Sequence, residues 1–221
     1  MIGSDIFHIA IDGPVASGKG TVARELGERL GIAALDTGAL YRAVGYYLKQ
    51  RFDNIEYNLK VKQALDELDI KAEIIGSNTH VFINGVDITD KIRTPEMSKV
   101  SSMVATRPDV RDKVNITIRE LCKLTSLIVD GRDIASVVLP DAKYKFFLTA
   151  KPKVRAERRL EQYSGKMTLK EMVREIKERD KRDSSRDIAP LKKVKDAIVI
   201  DNSDIDLEKT IELMLHKMKK V

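Results

Sequence analysis

The chain has 221 residues, 43% of them hydrophobic, which is enough to bury a sizeable core and fits one compact domain with at most a small inserted subdomain. A single cysteine, Cys122, excludes an intrachain disulfide, the N-terminus lacks the basic-then-apolar layout of a signal peptide, and no run nears the ~18 apolar residues that cross a bilayer. A soluble cytoplasmic protein is expected, and its net charge of +6 is local, since residues 151–195 hold 16 Lys and Arg against 8 Asp and Glu. Such a segment suits nucleic acid, an acidic membrane surface or a polyphosphate.

In chain order, FHIAID (7–12) reads as a strand and KGTVARELGERLG (19–31) as a helix, with Val22, Leu26 and Leu30 on one face and Gly31 as its stop. IAALD (32–36) is a second strand and ALYRAVGYYLKQRF (39–52) a second helix. From about 63 to 98 strand-like runs are separated by GSNT and by Asn84-Gly85, a strong hairpin signal, which predicts a small antiparallel insert in a core of about 1–62 and 99–221. LIVD (127–130), YKFFL (144–148) and AIVID (197–201) bring the short apolar runs to five. With helical crossovers between them, the expected fold class is α/β, a parallel sheet covered by helices on both faces.

Between the first strand and the first helix stands GPVASGKGT: Gly13, Pro14, Val15, Ala16, Ser17, Gly18, Lys19, Gly20 and Thr21. Gly13 and Gly18-Lys19 have the P-loop spacing G-x4-G-K, whose backbone N–H groups and helix N-terminus cradle a polyphosphate while the lysine reaches its β and γ phosphates. The residue after Lys19 is Gly20 rather than a hydroxyl, so Mg²⁺ is expected to be held through water rather than by Thr21 directly.

Three further clusters address a second substrate. LDTGALYR places Thr37, Tyr41 and Arg42 at a strand's carboxyl edge, where open α/β sheets bind ligands. IVDGRDI places Asp130, Arg132 and Asp133 at another: Asp130 to hold metal-bound water, Arg132 to grip a phosphate, Asp133 to accept a hydrogen bond from an exocyclic amine. In TLKEMVREIKERDKRDSSR, Thr168 and Glu171 form a capping box, and the buried face of Met172 and Ile176 continues as Arg179, Asp183 and Arg186. Arg155, Arg158 and Arg159 before Gly165 suit a lid over about 155–168 that closes on phosphates. An RNA-binding module would interleave aromatics with these basic residues, yet the stretch offers Tyr163 alone, and no N-K-x-D motif supports a GTPase.

IDGPVASGKGT, LDTGALYR, VATRPDVR, VDGRD, PDAKYKFFLTA, RAERR and EIKERDKRDSSRDIAPL occur in an order that resembles the bacterial cytidylate kinases, nucleoside monophosphate kinases of the P-loop type. The resemblance implies phosphoryl transfer from ATP, with Mg²⁺, to CMP or dCMP by a monomeric enzyme that binds neither nucleic acid nor membrane. It implies Ser102, Arg111 and Asp133 as cytosine readers, Thr37, Arg179 and Asp183 as ribose contacts, and Arg42, Arg132 and Arg186 as the grip on the acceptor phosphate. Lys19, Arg132, Arg159 and Arg186 would carry catalysis. Kinases for UMP or shikimate are the alternatives within the class. No histidine is required, since the acceptor is already a phosphate; His8, His80, in a turn, and His216 read as structural or solvated, and Cys122 as packing.

Overall fold

The computed structural model describes residues 6–56, 58–76, 78–161 and 167–219. All five expected strands form one sheet of order β2-β6-β1-β7-β8, built from β1 (His8–Asp12), β2 (Ala33–Asp36), β6 (Leu127–Gly131), β7 (Tyr144–Thr149) and β8 (Ile198–Asp201). β1 is parallel to β6, with Ile11 opposite Asp130 and Asp12 opposite Gly131, and parallel to β7 on its other side. A strand buried on both faces needs apolar residues throughout, and Ile9, Ala10 and Ile11 are fully buried.

The chain divides into two compact units, residues 1–33 with 126–221, and residues 34–125. In the first, α1 (Lys19–Leu30) follows β1, α6 (Pro152–Glu161) and α7 (Leu169–Ser184) follow β7, and α8 (Leu207–Met218) closes the chain. Val15 seats in an apolar cluster with Ala156, Met172 and Ile176, so the loop after β1 is anchored on α6 and α7. After β6 comes a short π-helix, Ile134–Val138, which no periodicity in IASVV announces.

The second unit holds α2 (Thr37–Lys49), α3 (Leu59–Glu67), α4 (Pro95–Val104), α5 (Pro108–Cys122) and an antiparallel sheet of β3 (Ile70–Ile75), β4 (Asn78–Ile83) and β5 (Val86–Asp87). Asn84 and Gly85 both take positive φ, 49° and 80°, as the predicted tight hairpin requires. α2 begins two residues before its expected start because Asp36 caps it, accepting the Ala39 N–H at 3.2 Å. His80 lies in β4 rather than in a turn, with Nδ1 2.9 Å from Asp87 Oδ2. Among the described residues no helix is long and apolar enough to cross a membrane.

Candidate active site

In the first unit the loop from Gly13 to Gly18 joins the C-terminal end of β1 to the N-terminus of α1. A side chain at Gly13 would put its Cβ 2.0 Å from the Leu148 carbonyl oxygen, so only glycine lets the loop leave β1 this close to β7. Ala16 and Gly18 both take positive φ, 58° and 90°, which turns successive peptide groups in one direction. Gly18 caps α1 without a side-chain bond and the first turn contains no acidic residue, which keeps positive potential at that terminus.

Lys19 is buried, with Nζ donating to the Pro14 carbonyl at 2.7 Å and, more weakly, to Ser17 Oγ at 3.4 Å. Burial lowers its pKa well below the usual lysine range, the charge of Arg132 adds to that, and Asp130, Asp12 and Asp183 oppose it. Thr21 is exposed, while the buried hydroxyl of the loop is that of Ser17.

Arg155 and Arg158 depart from the expected lid. Arg155 is 4% exposed, and its guanidinium donates to the Ala150 carbonyl at 2.8 Å and the Val15 carbonyl at 3.0 Å and pairs with Asp180 at 2.7 Å. Asp180 in turn accepts the Val15 N–H at 3.2 Å, so this arginine braces the loop from beneath instead of projecting from a lid. Arg158 donates to both the side-chain and main-chain oxygens of Asn202, at 2.9 and 2.7 Å, and the Asn202 amide donates to the Ser17 carbonyl at 3.2 Å. Arg159 reaches Glu175 at 3.8 Å. Gly165 and Tyr163, and with them most of the lid's expected loop, lie outside the described residues.

α7 carries Arg179 and Asp183 beyond its apolar face but ends at Ser184, so Arg186 joins them from just past the helix. Asp183, 1% exposed, accepts from Arg132 Nε at 2.9 Å and from the Arg186 guanidinium. Burial alone would raise its pKa, but Arg132, Arg186 and Arg179 together bring it below the usual carboxylate value. Arg179 is pushed down to about 9, first by burial and then by the neighbouring Arg132. Asp130 and Asp133 are buried at the end of β6. Asp12, which the sequence reading passed over, is buried at the end of β1 and accepts the Ile134 and Ala135 N–H groups at 2.9 and 2.8 Å. A carboxylate closing an apolar strand was the available signal.

In the second unit Thr37 is buried at the first position of α2, and Arg42 pairs with Asp36 at 2.8 Å. Burial acts to raise the Asp36 pKa, and Arg42 with the N–H groups of Ala39 and Gly38 outweighs it. Thr79, from β4, accepts the Asp36 N–H at 3.1 Å and donates to the Ala34 carbonyl at 3.3 Å, fixing that corner. The Arg111 guanidinium lies 5.6 Å from the centre of the Tyr41 ring and donates to the Ala105 carbonyl at 3.1 Å. Ser102 Oγ is buried with no hydrogen-bond partner among the described residues, as is Asn115 Oδ1 one turn beyond Arg111.

A parallel α/β sheet whose first strand feeds a glycine-rich loop, a buried lysine and an uncapped helix N-terminus defines a P-loop kinase fold. Solved structures sharing it include an uncharacterized protein from Eubacterium ventriosum, at TM-score 0.55 and 16% identity over 97% of this chain and 99% of that one. A gluconokinase from Sinorhizobium meliloti is similar at TM-score 0.52 and 14% identity over 97% and 92%. The family model described as cytidylate kinase matches residues 9–220. Cytidylate kinases from Thermosipho melanesiensis and Fervidobacterium nodosum are 46% and 44% identical, covering 96% of this chain and 97% and 96% of their own. The chain belongs to the cytidylate kinase family.

Proposed function

We propose that this protein transfers the γ-phosphoryl group of ATP to CMP or dCMP, giving ADP and CDP or dCDP, as a cytoplasmic monomer. The observation that carries the reading is the family match over residues 9–220, which takes in the phosphate loop and every cluster assigned to the acceptor.

The loop N–H groups and Lys19 hold the donor's phosphates. Arg42, Arg132 and Arg186 hold the acceptor phosphate, Thr37, Arg179 and Asp183 the sugar, and Ser102, Arg111 and Asp133 the cytosine edge, with Tyr41 packed against Arg111. The acceptor's second pKa is ~6, so its oxygen is a nucleophile at neutral pH without a general base. Bringing ATP and CMP together concentrates about six negative charges, and neutralising them while holding the phosphates in line is the catalytic task. Lys19 and the arginines do that work, with Arg159 as the residue for the transferring group. Arg155 and Arg158 support the loop through Val15 and Asn202.

Magnesium fits this donor set, because the ion takes one or two carboxylates together with phosphates and water, and Asp130 is a buried carboxylate whose charge Lys19 feels. Asp130 would hold it through water, and the ion would supply neutralisation of phosphate charge. Exposed Thr21 does not suit direct ligation.

The test is ADP formation from ATP·Mg²⁺ by the purified protein with CMP, dCMP, UMP, AMP or shikimate offered singly. Turnover with CMP and dCMP well above the others is expected. ATP binding without turnover of any acceptor, or preference for shikimate, overturns the assignment.

A further inference from the structure

We propose that Asp12 is a positioning residue that ties the phosphate-holding loop to the base-reading turn after β6. The inference rests on the reading above, in which Arg132 and Asp133 meet the acceptor. Asp12 is the last residue of β1 and the residue before Gly13, and the parallel register sets it directly beside Gly131. It is 2% exposed, a place where a carboxylate persists only if its oxygens are satisfied. Oδ1 takes the N–H of Ile134 and Oδ2 that of Ala135, at 2.9 and 2.8 Å.

Those two N–H groups open the π-helix Ile134–Val138, and a helix start must find acceptors for them. The residue standing at its cap position is Asp133, a side chain that ordinarily does this job, yet Asp133 makes no cap bond. A carboxylate from the neighbouring strand has taken over the capping duty. One side chain thus fixes the backbone that follows Arg132 and Asp133, while its own backbone leads directly into Gly13. The turn is thus held at the point where β1 passes into the phosphate loop, through bonds of 2.9 and 2.8 Å.

Asp12→Asn retains one acceptor and turns an N–H donor toward the other main-chain N–H, which disturbs the turn without emptying the site. In this variant kcat/KM for CMP is expected to fall by about 10- to 100-fold, the cost of a small misplacement at a reacting centre. The preference for CMP over UMP should shrink by about fivefold or more, because the base-reading carboxylate has moved. ATP affinity by calorimetry should fall much less than the CMP preference, since the loop's own N–H groups are untouched and Asp12 is one of several charges acting on Lys19. Asp133→Asn is measured beside it.

If Asp133→Asn relaxes the preference and Asp12→Asn does not, the proposal is overturned while the function stands. If Asp133→Asn leaves the preference intact, the cytosine assignment itself is wrong and the proposal falls with it. Loss of ATP affinity in step with selectivity would place Asp12 in the stability of the phosphate loop and equally overturn the coupling. Should Asp12→Asn fail to fold, amide exchange in the wild-type protein decides. Slow exchange at Ile134 and Ala135 supports the tie, and rapid exchange at both beside protected β6 amides removes it.

Discussion

Asp183 shows how one buried carboxylate can hold two arginines together. Its carboxylate is shared by Arg132 and Arg186, both largely buried, so removing its charge leaves two guanidinium groups without their partner. Asp183→Asn is expected to cost about 3–5 kcal/mol at neutral pH. The folded-state pKa of Asp183 is depressed, so its stabilisation is complete above the ordinary carboxylate value of ~3.9 and fades as the pH falls through the lower folded value. Urea unfolding of the wild type and Asp183→Asn should therefore converge only in strong acid. Asp12 has the opposite sign. Burial, set against the Ala135 and Ile134 N–H groups, raises it to about 6, so the folded state holds this proton more tightly than the unfolded chain. Its contribution to stability declines as the pH rises from ~4 to 6. Equal sensitivity of the two proteins at pH 3 and pH 7 would count against the Asp183 pairing.

At the scale of elements, the strands were legible because five short apolar runs are what a sheet buried on both faces demands, and Asn84-Gly85 named its hairpin. The charged continuation of the α7 core face was legible from spacing alone. What stayed hidden depends on partners far along the chain. The π-helix is held by Asp12, 122 positions earlier in the chain. Arg155 and Arg158 read as part of a lid because three arginines stand on one helix turn before a glycine, whereas two of them bond to main-chain carbonyls, which carry no mark in a sequence. Asn202 stands just past β8, at the edge where ligands gather, and that position was a usable sign. Because it links Arg158 to the Ser17 carbonyl, Asn202→Ala should weaken ATP binding by about tenfold while leaving CMP affinity nearly unchanged. Calorimetry with each nucleotide alone distinguishes this from general unfolding, which would lower both.

For the molecule as a whole, the local excess of basic residues has an account. Arg155 and Arg158 brace the glycine-rich loop through Val15 and Asn202, and Arg179 and Arg186 gather around the Asp183 carboxylate. The order in which the chain supplies its parts has a further consequence. Residues 34–125 form one uninterrupted unit, whereas the other unit is split around them. His8 pairs with Leu127, 119 residues away, so β1 and the loop it carries leave the ribosome long before β6 exists to pair with them. The contiguous unit needs no chain beyond residue 125 and can close early, while closing a loop of this length delays the sheet. During refolding, amides of β3, β4 and α5 should gain protection before those of β1, and simultaneous protection in pulse-labelled exchange would rule this order out. The loop that follows β1 is in this sense made early and finished late, since β6 and β7, the strands that flank β1, are synthesised long after it.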